Sequence, residues 1–372
     1  MSKSFQPPQR TLMGPGPSDV HPRILEAMGK PTIGHLDPAF IGMMDSLKSL
    51  IQFAFQTKNE LTFCVSAPGS AGMESCFVNL LEPGDKAIVC VNGVFGTRML
   101  ENVVRCGATA VRVDNAWGTP VDPAKLEDAL QANPDAKLVA FVHAETSTGV
   151  CSDAATLCKL ARKYNCLSIV DCVTSLGGIP VELDAWGADA AYSGSQKCLS
   201  CSPGLSPVSF SEQAAAVVRE RKTPVQSWFL DLNLLLGYWG KGAKRAYHHT
   251  APINALYGLH EALVILQEEG LEASHQRHAA MHEKLRDALA RLGISFVVEA
   301  PFRLPQLNSV WIPEGADDTA IRQQLLAEHN LEIGAGLGDF AGKVWRIGLM
   351  GHSAREENVA LCVEAIGKAL AR

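Results

Sequence analysis

No stretch of this 372-residue chain approaches the roughly 18 consecutive apolar residues that a membrane-spanning helix needs, so a membrane is not an expected partner. Basic blocks are missing as well. Lys and Arg number 33 against 39 Asp and Glu, for a formal net charge of -6 and a pI near 6.0. Polyanion binding rests on clustered cations, so nucleic acid is not expected either, although a local basic pocket for a small anion is compatible with this balance. The eleven cysteines form no short-spaced framework and are expected to be reduced thiols of a cytoplasmic protein. Cys198 and Cys201 make a lone CxxC, and without a second pair at zinc spacing no metal is expected there. A Gly-x-Gly-x-x-Gly turn after a first strand is absent, which argues against a nicotinamide-dependent enzyme. Residues 1–10 (MSKSFQPPQR) lack the apolar centre of a secretory signal, and residues 368–372 are no peroxisomal address of the Ser-Lys-Leu type.

What is present is an ordinary globular composition, 47% hydrophobic and 19% charged, in a chain long enough for two cores. Residues 1–20, rich in Pro and Gly, are expected to be an extended arm. Short apolar runs at 86–91 (KAIVCV), 109–113, 137–142 and 167–171 alternate with helical patterns such as 122–131 and 154–164. That alternation predicts an α/β domain over 21–258, with a mainly parallel sheet buried between helices. From about residue 259 the texture changes. A long amphipathic helix over 271–292, strands near 309–312 and 344–347, and a helix over 356–370 predict a smaller α+β domain spanning 259–372.

The chemistry centres on residues 193–197 (SGSQK), which follow a strand-like run at 188–192 and end 26 residues beyond Asp171. Lys197, in a setting of small and apolar residues, suits a Schiff-base lysine for pyridoxal 5'-phosphate. Asp171, closing a strand, suits the partner of the protonated pyridine nitrogen. A surface lysine and a helix-capping aspartate are the plain alternatives. The small-residue turn 66–74 (SAPGSAGME) leads into a helix whose free N–H groups could hold phosphate, with Gln196 and Thr250 as further donors. Phe95 could stack on a flat ring, though a lone aromatic is more often core. Arg346, in apolar surroundings, needs an anion, either an internal carboxylate or that of a substrate. His143, Glu145 and Thr146 follow a strand end. The adjacent His248 and His249 resemble a metal pair only superficially.

Taken together, 14–17 (GPGP), 92–93 (NG), 147–149 (STG), Asp171, 175–178 (SLGG), 193–197, 247–250 (YHHT) and 346–348 (RIG) resemble the class V aminotransferases of pyridoxal-phosphate fold type I. The resemblance is strongest to the alanine–glyoxylate and serine–pyruvate aminotransferases, and it runs nearly end to end. It implies Lys197 as the Schiff-base lysine and Asp171 as the pyridine partner. Val173 would lie on the ring face opposite Phe95. Gly69, Ser70 and Gln196 would hold the phosphate, and Tyr247 and Thr250 would reach it from the other subunit of a homodimer. Thr146 would sit near the ring hydroxyl, and Arg346 would hold the substrate carboxylate. Gly16 and His35 are added as substrate contacts, and the arm would cross to the partner. Animal relatives have Trp at the position of Phe95, and Ser-Gly-His where this chain has 68–70 (PGS). Ureidoglycine–glyoxylate relatives carry Gln and Asn at the positions of His35 and Tyr247, which speaks against that substrate here. The implied activity is ping-pong transamination of alanine or serine with glyoxylate or pyruvate. A cysteine desulfurase would place His before the lysine, where this chain has Gln196. A non-catalytic regulatory protein would not need the Lys, Asp and Arg set.

Overall fold

The protein is described here by a computed structural model covering residues 3–239 and 245–371. Residues 1–2 of the expected arm and residue 372 of the expected C-terminal domain lie outside the described residues. Seven strands form the central sheet: β1 (Leu61–Val65), β2 (Lys86–Val91), β3 (Thr109–Asp114), β4 (Leu138–Val142), β5 (Leu167–Asp171), β6 (Ala190–Tyr192) and β7 (Ser206–Phe210). Their spatial order is β1-β7-β6-β5-β4-β2-β3. Neighbours pair in parallel, except that β7 runs antiparallel to both β1 and β6. The fold is thus the expected α/β type with a mainly parallel sheet. β4 (LVAFV) and β5 (LSIVD) are buried at every position, because helices cover both faces and continuous apolar runs suit such strands.

A second, smaller antiparallel sheet has the order β8 (Leu307–Trp311), β10 (Val344–Gly348), β9 (Gly334–Ala335). With the helices Leu271–Arg291, Asp318–His329 and Glu356–Leu370 it builds its own core around Leu285, Leu289, Val310, Trp345 and Ile366. The expected boundary at 258/259 cuts the helix Ile253–Glu269. Leu259, Leu263 and Leu266 of that helix pack in the large core, against the helices Pro22–Met28 and Pro38–Phe55. We therefore propose that the division falls at Gly270. Among the described residues no helix is long and apolar enough to cross a membrane.

Part of the N-terminal segment packs against its own chain. Thr11–Leu12 pairs in parallel with Leu331–Glu332, Met13 is fully buried in the small core, and Ser18 Oγ donates to the Lys197 carbonyl at 2.8 Å. The reason is an unfilled strand edge at Leu331–Glu332, whose N–H and C=O groups the segment satisfies. Only residues 3–9 are exposed throughout.

Candidate active site

The parallel strands deliver their C-terminal ends to one place, where ligands bind in open α/β sheets. β5 ends at Asp171, with Val173 just beyond it. β6 ends at Tyr192 and leads into 193–197. The helix Gly69–Leu80 starts after β1, and the helix Val94–Arg105 starts after β2. Together these bring Gly69, Ser70, Phe95, Asp171, Val173, Gln196 and Lys197 around one cavity.

Lys197 is buried, and its Nζ donates to the carbonyl of Pro15. Burial, reinforced by the nearby Arg346 charge, brings its amine down to about 8. Asp171 Oδ1 accepts from the Val173 N–H at 2.8 Å, and Oδ2 from the Tyr192 hydroxyl at 2.7 Å. Burial pushes its carboxyl up to about 7 against the pull of those two donors. A base and an acid are thus both held near neutrality at one cavity. Gly16 lies against this lysine: a Cβ there would stand 2.6 Å from Nζ, on a backbone at φ +102° that other residues rarely adopt.

The helix Gly69–Leu80 opens with Pro68 as N-cap and no side-chain cap, so its first N–H groups face the cavity without a side-chain acceptor. The helix begins inside the small-residue turn 66–74, because Gly72 lets the first turn lie against Ser206 and Tyr192 where a Cβ would collide. Gly69 and Ser70 thus lie in its first turn, whose free N–H groups suit an anion.

Arg346, on β10, is only 6% exposed. Its Nε donates to the Ala335 carbonyl at 2.7 Å and its Nη1 to the Thr146 carbonyl at 3.1 Å. No carboxylate forms an ion pair with it among the described residues, and burial lowers its pKa to about 10, opposed by Glu145. Thr146 Oγ1 bonds Thr174 Oγ1 at 2.5 Å and stands between Arg346 and the β5 end rather than on the cavity wall. Glu145 is buried and serves structure. It accepts from Ser147 N at 3.0 Å and from Gly96 N at 3.4 Å, while Ser147 Oγ accepts from Val94 N at 3.0 Å, so the pair caps the helix that carries Phe95.

Other expected residues are not brought in by their own chain. Tyr247 is 61% exposed, Thr250 is exposed, and His35 meets Tyr247 at 5.2 Å between ring centroids, all outside the cavity. His143 is buried and neutral, its pKa lowered to about 4 by burial, with its ring against Trp186. His248 and His249 bond each other through Nδ1 at 2.8 Å, and His249 Nε2 bonds Ser66 Oγ. Two wall residues escaped the sequence reading. Arg98 lies over the Phe95 ring at 5.0 Å and donates to Ser70 Oγ at 3.2 Å. Its position one helical turn after Phe95 was the available signal. Tyr192, the last residue of β6, was legible only through its strand register with Asp171.

These residues fit pyridoxal phosphate. An uncapped helix terminus and the Gln196 amide suit its phosphate, Phe95 and Val173 offer apolar walls for a ring, Asp171 suits a pyridinium N–H, and Lys197 suits the aldehyde. The family Aminotransferase class-V matches residues 25–352. Alanine–glyoxylate aminotransferase of Rattus norvegicus is 40% identical over 372 residues, covering 100% of this chain and 90% of the relative. The crystal structure of alanine–glyoxylate aminotransferase from Nostoc sp. superposes with a TM-score of 0.97 at 46% identity, covering 100% of this chain and 97% of that one. Ureidoglycine–glyoxylate aminotransferase from Bacillus subtilis also superposes at 0.97, with 36% identity and coverage of 100% and 95%. With its fold, its lysine–aspartate cavity and these relatives in agreement, the chain belongs to the class V aminotransferases, pyridoxal-phosphate-dependent transaminases of fold type I.

Proposed function

We propose that this enzyme moves the amino group of a small L-amino acid, alanine or serine, to glyoxylate or pyruvate in two half-reactions. The observation that carries the substrate class is Arg346, a buried guanidinium without a carboxylate partner among the described residues, whose charge is felt at Lys197. A planar fork of this kind matches an α-carboxylate. The small size of donor and acceptor is supported by the names of the rat and Nostoc relatives.

Pyridoxal phosphate, when bound, supplies an aldehyde that amines add to and a pyridinium ring that withdraws electrons from the substrate Cα. The chain does the rest. Gly69 and Ser70 in the first helical turn, with Gln196, hold the phosphate, and Phe95 and Val173 flank the ring. Asp171 would keep the ring nitrogen protonated, and Thr146, set back from the cavity wall, would hold Arg346 through its carbonyl. Arg346 fixes the substrate carboxylate and so aims the Cα–H bond, an orientation worth several powers of ten in effective molarity. Lys197 Nζ takes the Cα proton as general base and later returns it, with Gly16 leaving the space its Nζ needs.

A homodimer with shared sites is part of this proposal. Tyr247 and Thr250 would complete the partner's phosphate site, and His35 beside Tyr247 would face the partner's substrate. The exposure of Tyr247, Thr250 and residues 3–9 supports it. A cytoplasmic location is supported by cysteines that are all free and mostly buried.

Arg98 adds charge to the phosphate end. Replacing it, Arg98→Gln, is expected to weaken pyridoxal phosphate binding about three- to tenfold, most strongly at low salt, as for a partly screened charged contact. Equilibrium titration of the cofactor-free protein checks this. An unchanged Kd at every ionic strength removes Arg98 from the site.

A half-reaction panel tests the function. The pyridoxal-phosphate enzyme is mixed separately with L-alanine, L-serine, L-glutamate, L-aspartate and ureidoglycine, without acceptor. Alanine or serine is expected to bleach the visible band with stoichiometric release of keto acid. If only ureidoglycine does so, the donor assignment fails; if no amine does, the transamination of small amino acids fails with it.

A further inference from the structure

We propose that Tyr192 is a positioning residue for this reaction: its hydroxyl holds the Asp171 carboxylate at a fixed angle and in its ionised form. The proposal rests on Asp171 being the partner of the cofactor's ring nitrogen.

The strand register creates the pair. Asp171 and Tyr192 are direct neighbours across β5 and β6, and opposed residues project to the same face of a sheet. Tyr192 is fully buried, so its hydroxyl needs a partner inside the protein, and Asp171 Oδ2 is the one it has, at 2.7 Å. A bond to a charged acceptor at this length is of the strong class. The other oxygen, Oδ1, takes the Val173 N–H. A carboxylate has about four acceptor positions, so each oxygen keeps one for the cavity side. Tyr192 also lines that cavity.

The carboxylate needs this help. Burial favours its neutral form, and the Glu145 charge opposes ionisation further. Lys197 favours ionisation, but it is the group the cofactor engages. Cys76 and Cys172, the neighbouring thiols, are deeply buried and held neutral. Tyr192 itself is held well above the ordinary phenol range by burial and by Asp171, so it keeps the proton that it donates to Oδ2. When one proton is shared between Asp171 and a ring nitrogen, every donor on the carboxylate moves that proton toward the nitrogen. A phenol fixed on Oδ2 therefore acts on the electron-withdrawing power of the ring without touching it.

The test uses holoenzyme with pyridoxal phosphate labelled with ¹⁵N in its ring. In Tyr192→Phe the aromatic ring stays and one oxygen goes. The nitrogen resonance is expected to move from the pyridinium toward the pyridine range, and kcat to fall about tenfold, the order expected for losing one hydrogen bond to a charged group. In an Asp171→Asn background the same change is expected to cost less than about twofold, because contacting groups that act through one another are not additive. An unmoved resonance with kcat within twofold overturns the proposal. So does an equal loss in both backgrounds, which would make the phenol act elsewhere. Asp171→Asn alone, if fully active, would instead bring down the assignment of Asp171. Should Tyr192→Phe not retain cofactor, 3-fluorotyrosine at position 192 keeps the shape with a more acidic hydroxyl. The resonance is then expected to shift toward pyridinium, and an unchanged or reversed shift overturns the proposal.

Discussion

Lys197→Ala is expected to abolish multiple-turnover transamination, by on the order of 10³-fold or more, and to remove the visible band of the covalently held cofactor. Two losses combine. Removing a general base or acid alone costs roughly 10²–10⁴-fold, and the covalent attachment point disappears as well. Among the described residues no other lysine lines the cavity to take over. Steady-state assays with a coupled keto-acid readout, together with the absorption spectrum, decide the matter. Sustained turnover in the variant would remove Lys197 from the mechanism. The lowered amine pKa adds a pH signature. An ordinary lysine, near 10.4, would add to an aldehyde ever faster up to pH 10. Lys197, brought down to about 8, reaches its neutral nucleophilic form two units earlier. The rate at which cofactor-free protein takes up pyridoxal phosphate is therefore expected to rise through pH 7 and level off above about 8. A rate still climbing steeply at pH 10 would mean that the desolvated pocket does not act on this amine.

Arg346→Ala is expected to lower kcat/KM for amino and 2-oxo acids about 10²-fold while pyridoxal phosphate stays bound. The magnitude follows from losing a charge-assisted pair with the substrate carboxylate, on the order of 1.5–3 kcal/mol. Arg346 also ties the Ala335 and Thr146 carbonyls, so a purely structural loss must be separated from a lost substrate contact. A simple alkylamine without a carboxylate does that. Its reaction with the enzyme-bound cofactor should change little in the variant. Equal losses for alkylamine and amino acid would sink the carboxylate role. Arg346→Lys should not restore full activity, since a lysine is one point charge without a planar fork.

Much of this architecture could be read from the chain before any coordinates. The strands β2 and β5 and the helix Glu356–Leu370 have the expected ends, because an apolar run bounded by charged or turn residues leaves little freedom. Two strands of the central sheet could not be read. β1 (LTFCV) is five residues of unbroken burial with no period to identify it. β7 carries Pro207, which argues against an interior strand. The structure resolves that objection. β6 ends at Tyr192, so the missing Pro207 N–H lies past the end of the ladder, while its carbonyl still takes the Ser193 N–H at 2.8 Å. At the cavity, Lys197, Asp171 and the small-residue turn were legible because their chemistry is local. Arg98 and Tyr192 were not, because their roles come from a helix start and a strand register that no short window contains. The pairing of Thr11–Leu12 was not legible for the same reason: its partner strand is some 320 residues away in sequence, Thr11 facing Leu331.

That distance carries a consequence for how the enzyme is made. Synthesis runs from the N-terminus, yet the segment that delivers the Pro15 carbonyl to Lys197 is docked by Leu331–Glu332 and by the Gly348 N–H, which donates to Met13 at 2.7 Å. A nascent chain can complete β1 to β7 and present Lys197 and Asp171 while its own first residues still have nowhere to bind. Contacts of such long range are the slow ones in folding. The N-terminal lining of the pocket can therefore dock only once the small domain has been made, and a chain stalled before residue 346 carries every cofactor-facing group of the large domain but neither that docked lining nor Arg346.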